Sequence, residues 1–174
     1  MVLWAVAAVS SHVTGGADSV PGMGTPLSRL EDLGIVLPAV VAPLAAYLPA
    51  RRSGSFVYTS GQLPMIDGAL PRTGKVGGEV SAEDGAALAR TAALNALAAI
   101  DALVGLDSVV GVVKVVGYVA STPDFTGQPA VINGASALLG QVFGEAGRHA
   151  RSAVGVAVLP LDSPVEVELV VEVQ

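Results

Sequence analysis

Val165-Glu166-Val167-Glu168-Leu169-Val170-Val171-Glu172-Val173 decides the fold. Its odd positions carry only Val and Leu, while Glu166, Glu168 and Glu172 share the other parity. That period of two is a β-strand with one face on a core. The segment before it, Arg151-Ser152-Ala153-Val154-Gly155-Val156-Ala157-Val158, alternates as well. From Ser152 to Val158 one side holds Ser152, Val154, Val156 and Val158, and the other holds Ala153, Gly155 and Ala157, with Arg151 at the same parity as the small residues. A row of small side chains next to an arginine implies that another group approaches closely there.

Moving outward, Val109 to Ala120 is dominated by valine with Lys114 as its single charge. It reads as a strand buried on both faces or lying at a subunit contact, and Thr122-Pro123-Asp124 ends it. Gln128 to Phe143 predicts a helix with Pro129 in its first turn and Gly144 and Gly147 beyond its end. Ser81, followed by Glu83 and Asp84, opens a longer Ala/Leu-rich helix that runs to about Val104 and stops at Gly105. Phe56 to Gln62 is a β-branched and aromatic strand bounded by Pro64 and Asp67-Gly68, with Arg51-Arg52-Ser53-Gly54 as a hairpin turn ahead of it. Strands, helix, strand, helix and two strands make an α+β subunit: a mixed sheet with two helices on one face.

The 174 residues suffice for one domain, and 52% are hydrophobic against 14% charged. No unbroken apolar run approaches the ~20 residues of a membrane-spanning helix. The chain is therefore expected to be soluble and to hide apolar surface in an oligomer. A net charge of -6 repels phosphate backbones, so neither a nucleic-acid nor a membrane partner is expected. There is no cysteine, and His12 and His149 are the two histidines, which excludes thiol chemistry and Cys-based metal sites. Residues 1–26 are set apart as an N-terminal extension broken by Gly15, Gly16, Pro21, Gly22 and Gly24. The apolar stretch Met1–Val9 lacks the basic residue of a secretory signal, the first being Arg29, and a cytoplasmic location is expected. Residues 27–174 then form a single domain.

From about Tyr47 onward, some three quarters of the chain, the sequence resembles the RidA (YjgF-type) family, long labelled endoribonuclease L-PSP. The most specific stretch is Ala150-Arg151-Ser152-Ala153-Val154-Gly155-Val156-Ala157-Val158-Leu159-Pro160 followed by Val165-Glu166-Val167. Tyr58-Thr59-Ser60-Gly61-Gln62-Leu63-Pro64, Tyr47 thirteen positions before Ser60, and Asn133 in the second helix are similar to further family positions. The resemblance implies a chorismate-mutase-like subunit forming a homotrimer with clefts between subunits. In the best-studied branch of the family such clefts hydrolyse enamine and imine intermediates such as 2-aminoacrylate to a 2-keto acid and ammonia with no metal or organic cofactor, and the resemblance implies the same chemistry here. The expected partners are accordingly a small imino or keto acid and further copies of the chain.

The same resemblance assigns the candidate residues. Arg151, otherwise a plain surface arginine, becomes a bidentate clamp for the substrate carboxylate, a geometry lysine cannot reproduce. Glu166 is either a solvated outward residue or the group that holds and activates water, which requires a partly desolvated carboxylate. Tyr47 either packs or presents its phenol to substrate, and Asn133 either bridges helix to strand or binds ligand. Ser60 and Gly61 shape the cleft, and neither Ser60 nor His149 sits in a nucleophile elbow. Two departures stand out: Ala153 occupies the position of the founding branch's Cys, and His149 replaces the family's proline. The Gly- and Pro-rich loop Gln62–Glu79 is placed to narrow the cleft. Besides a deaminase, a noncatalytic carboxylate- or partner-binding trimer is open. Acidity and 4% aromatic content argue against an RNase.

Overall fold

The computed structural model describes residues 24–40 and 47–174. The proposed extension lies outside them as far as Met23, but Thr25 and Pro26, grouped with it above, open a helix instead. In α1 (Pro26–Asp32) the Thr25 Oγ1 accepts from the Ser28 amide at 3.3 Å. Leu30 is buried, and the Arg29 guanidinium donates to the Val142 carbonyl at 3.2 Å. Sequence reading assigned no element here.

The remaining elements are β1 (Ala50–Ser53), β2 (Phe56–Thr59), α2 (Ala82–Val104), β3 (Val109–Ala120), α3 (Gln128–Phe143), β4 (Ala150–Val156) and β5 (Val165–Val173). The expected hairpin turn is corrected, because Arg51, Arg52 and Ser53 are strand and the chain reverses at Gly54-Ser55 between Ser53 and its partner Phe56. β4 begins and ends two residues earlier than its alternation suggested, since Ala150 already pairs with Lys114 and the last pair joins Val156 to Ala120.

The five strands lie in the order β1-β2-β5-β3-β4, and β3 with β4 is the parallel pair. β2 and β3 are both antiparallel to the β5 between them, so they run in the same direction. The crossovers β2-α2-β3 and β3-α3-β4 therefore both step the same way across the sheet, and their common handedness lays both helices on one face. Ser81 caps α2 by accepting from the Asp84 amide at 3.0 Å. Leu97 and Ile100 of α2, Ile132 and Leu138 of α3, and Val115, Val119, Val167 and Leu169 of the sheet are fully or almost fully buried between the layers. Each such side chain contributes about 1.5–3 kcal/mol of hydrophobic stabilisation.

Although charged residues interrupt every apolar run, α2 is long and apolar enough on average to span a membrane by length and composition alone. Its apolar side is occupied by the sheet and α3, as befits a core helix. The alternative that β3 is buried on both faces is also corrected, because among the described residues only its helix-facing side is covered, leaving Val110 and Val113 exposed. On the opposite side of the sheet Phe56, Tyr58 and Val154 remain 37–46% exposed. The loop after β2 is tied down: Gln62 and Val167 exchange backbone hydrogen bonds of 2.9 and 3.0 Å, and Asn95 Nδ2 donates to the Leu63 and Met65 carbonyls. Further on, Val76 inserts beside the end of β3, receiving the Thr122 amide and donating its own to Ala120.

Candidate active site

The predicted residues fall into two groups on opposite faces of the sheet. Arg151 lies on β4, level with the buried Val115, and points toward α3. Its Nη1 donates to Asn133 Oδ1 at 2.7 Å and to Ser136 Oγ at 3.1 Å. Asn133 and Ser136 stand three residues apart on α3, which places them on the same helical face. Ser136 Oγ is 3.0 Å from His149 Nε2, and His149 Nδ1 is 2.6 Å from the Gly147 carbonyl. Ala153 follows on the same side of β4 and packs against the core. At Gly155 a methyl group would come within 2.8 Å of Gln128 Nε2, so the close approach that the small residues implied is made by Gln128. Gln128 is itself held by the Phe125 carbonyl at 2.6 Å and by Ser121 Oγ at 3.2 Å. Asn133 thus bridges helix to strand, with Arg151 as its partner.

The second group faces the open side. Glu166 pairs across the ladder with Tyr118 and is half-buried. Its carboxyl lies against Gly61, where any side-chain carbon would overlap Glu166 Oε1. Burial, and then the neighbouring charge of Glu168, raise the Glu166 carboxyl above its ordinary value of 4.5. The Tyr118 phenol is likewise raised, by burial first and then by Glu168 and Glu166. Glu166 is therefore a partly desolvated carboxylate, unlike the exposed Glu172 on the same strand.

Ser60 is fixed by donating its Oγ–H to the Leu48 carbonyl at 2.7 Å and its amide to Pro49 at 2.9 Å. A hollow of about 380 Å³ opens beside it, lined by Tyr47, Leu48, Arg51, Tyr58, Thr59 and Ser60. Tyr47 is 55% exposed, so it is available to a ligand instead of packing. Arg51 and Tyr58 were not singled out from sequence. They are register partners on adjacent strands and so share one face, a relationship that only the hairpin register reveals.

One copy of the chain does not bring the two groups together. β2 and β4 are separated by β5 and β3, about 14 Å at the usual strand spacing, and Arg151 and Glu166 leave the sheet on opposite sides. Among the described residues no group of three or more His, Cys, Asp or Glu is placed to hold a metal ion.

Residues 27–173 match the model of the family described as "YjgF/chorismate mutase-like, putative endoribonuclease". Protein TCP17 of Trypanosoma cruzi is 45% identical over 156 residues, which cover 88% of this chain and 98% of that protein. The crystal structure of Atu1372 from Agrobacterium tumefaciens, a protein of unknown function, has 43% identity and a TM-score of 0.80 over 86% of this chain and 92% of its own. A "putative endoribonuclease" from Shewanella oneidensis MR-1 has 37% identity and a TM-score of 0.82, covering 86% and 100% of the two chains. Escherichia coli TdcF, solved with bound serine, is more distant at 28% identity and a TM-score of 0.52 over 79% and 93%.

Proposed function

The chain belongs to the YjgF/chorismate-mutase-like family, and from that premise we propose that it is a hydrolytic deaminase of small enamines and imines, acting at clefts between the subunits of a homotrimer. The observation that carries the proposal is the state of Arg151. Both hydrogens of Nη1 are committed to Asn133 and Ser136, whereas Nε and Nη2 donate to no described residue. That edge of the guanidinium offers two parallel N–H groups at the spacing of a carboxylate. The serine bound to TdcF is likewise a small molecule bearing a carboxylate.

With the imino acid held by its carboxylate, Glu166 of a neighbouring copy takes a proton from water as the water oxygen bonds to the imine carbon and the C=N π pair moves to nitrogen. The proton then passes to that nitrogen. Glu166 then takes the hydroxyl proton of this carbinolamine and passes it to the amine, and as the oxygen lone pair forms the C=O bond the C–N bond breaks, releasing ammonia and the 2-keto acid. A carboxyl raised by burial suits this exchange, because it is a stronger base than an exposed glutamate and can return the proton. Tyr47 and the Ser60-Gly61 backbone border the cleft from the same side as Glu166. No metal or organic cofactor enters the reaction.

A noncatalytic trimer that binds small carboxylates or a partner is the second reading, favoured by Ala153 in place of the founding branch's Cys. The endoribonuclease label of the neighbours finds little support in a chain of net charge -6. The decisive assay follows freshly generated 2-iminopropionate, with calorimetric titration by pyruvate and incubation with single-stranded RNA in parallel. Turnover by the wild type and a loss of roughly 100-fold or more in Arg151→Ala support the deaminase. Pyruvate binding without turnover supports the second reading, and RNA cleavage that survives Arg151→Ala defeats both.

A further inference from the structure

We propose that Ser136 and His149 act as a positioning pair for Arg151, an assignment that rests on the clamp reading above. The Gly147 carbonyl can only accept, so His149 Nδ1, 2.6 Å away, carries the ring proton. In the neutral ring Nε2 is then an acceptor, and the Ser136 hydroxyl at 3.0 Å donates to it. With its proton so directed, Ser136 Oγ turns its lone pairs to Arg151 Nη1 at 3.1 Å. Every hydrogen in this chain has one destination: Arg151 to Ser136, Ser136 to His149, His149 to the backbone.

The arrangement removes a freedom that serine would otherwise have. A helical serine can rotate and return its hydroxyl to the carbonyl of the preceding turn. His149 holds Ser136 away from that alternative. His149 is in turn anchored to Gly147, a buried residue so close to the Leu139 carbonyl that no side chain fits there. Together with the 2.7 Å bond to Asn133, the pair fixes the guanidinium plane and directs its Nε–Nη2 edge away from α3. Ser136 and His149 both engage the Nη1 side, so they position the clamp without touching the carboxylate.

The test measures pyruvate affinity by calorimetry and 2-iminopropionate turnover in Ser136→Ala, His149→Ala, the double variant and Ser136→Thr, with Ser136→Ala repeated in an Arg151→Ala background. Each alanine variant should weaken pyruvate binding about 10-fold and raise KM with kcat little changed. The double variant should be no weaker than the worse single one, and Ser136→Thr should restore affinity. In the Arg151→Ala background Ser136→Ala should change nothing further. A ¹⁵N spectrum of the wild type, which needs no variant to fold, should show His149 protonated at Nδ1. Wild-type affinity in both alanine variants while Arg151→Ala loses binding, or a ring protonated at Nε2, overturns the positioning pair and leaves the clamp standing. Equal pyruvate binding by wild type and Arg151→Ala overturns the clamp reading and the pair with it.

Discussion

Gly61 and the carboxyl of Glu166 are in such close contact that no side chain fits at position 61. The contact fixes where the carboxylate stands and shields part of it from water. Gly61→Ala must displace Glu166, and forcing a methyl into a filled site costs about 1–3 kcal/mol. The variant should melt below wild type and lose 10-fold or more in 2-iminopropionate turnover, as read by thermal denaturation and initial rates.

Glu166→Gln keeps the shape of the side chain and removes its basicity. Turnover should fall by roughly 100-fold or more, while pyruvate affinity, assigned to Arg151 in the proposed mechanism, stays near the wild-type value.

The same substitution has a pH signature. The folded-state pKa of Glu166 is raised above 4.5, so the folded state holds this proton more tightly than the unfolded chain. Its contribution to stability is fully present below 4.5 and is lost as pH rises through the folded value. Thermal melts should therefore show Glu166→Gln above wild type at pH 7, with the gap closing as pH falls to 4. A gap that widens on acidification would contradict the burial of this carboxyl.

Native mass measurement at micromolar concentration should give three times the 17.3 kDa subunit mass. Val154, 43% exposed on the open face, tests the contact. If the proposed trimer forms through this face, Val154→Glu should retain its circular dichroism, shift to the monomer mass and lose turnover.

Deleting residues 1–23 should leave melting temperature and subunit number unchanged. Deleting through Leu33 removes the buried Leu30 and the bond from Arg29 to Val142, and should cost several degrees in the melting temperature.

Most elements were legible because their signals are local. Ser81 caps the helix it announces, and the alternation of Val165–Val173 marks the covered face of β5 residue by residue. α1 escaped because a single turn of apolar contact around Leu30 leaves no periodicity to read. In the candidate site, motif position named Arg151, Asn133 and Glu166 but not their geometry. Arg151 and Glu166 lie fifteen positions apart in the chain, yet on opposite faces with β3 between their strands. Ser136 was passed over altogether, since its partners come from a helix face, a turn and an edge strand that only tertiary packing brings together.

β5 is the last of the described elements along the chain and lies between β2 and β3. During synthesis the β1–β2 hairpin and the β3-α3-β4 unit emerge first, each with a strand edge awaiting its neighbour. Neither ladder can close until Val165–Val173 has left the ribosome. From the completion of β3 until β5 follows, the nascent protein carries two unpaired strand edges, and a product that stops before Val165 lacks the strand that joins its halves. Such a fragment keeps two unpaired strand edges, so β5 is the element on which closure of the sheet depends.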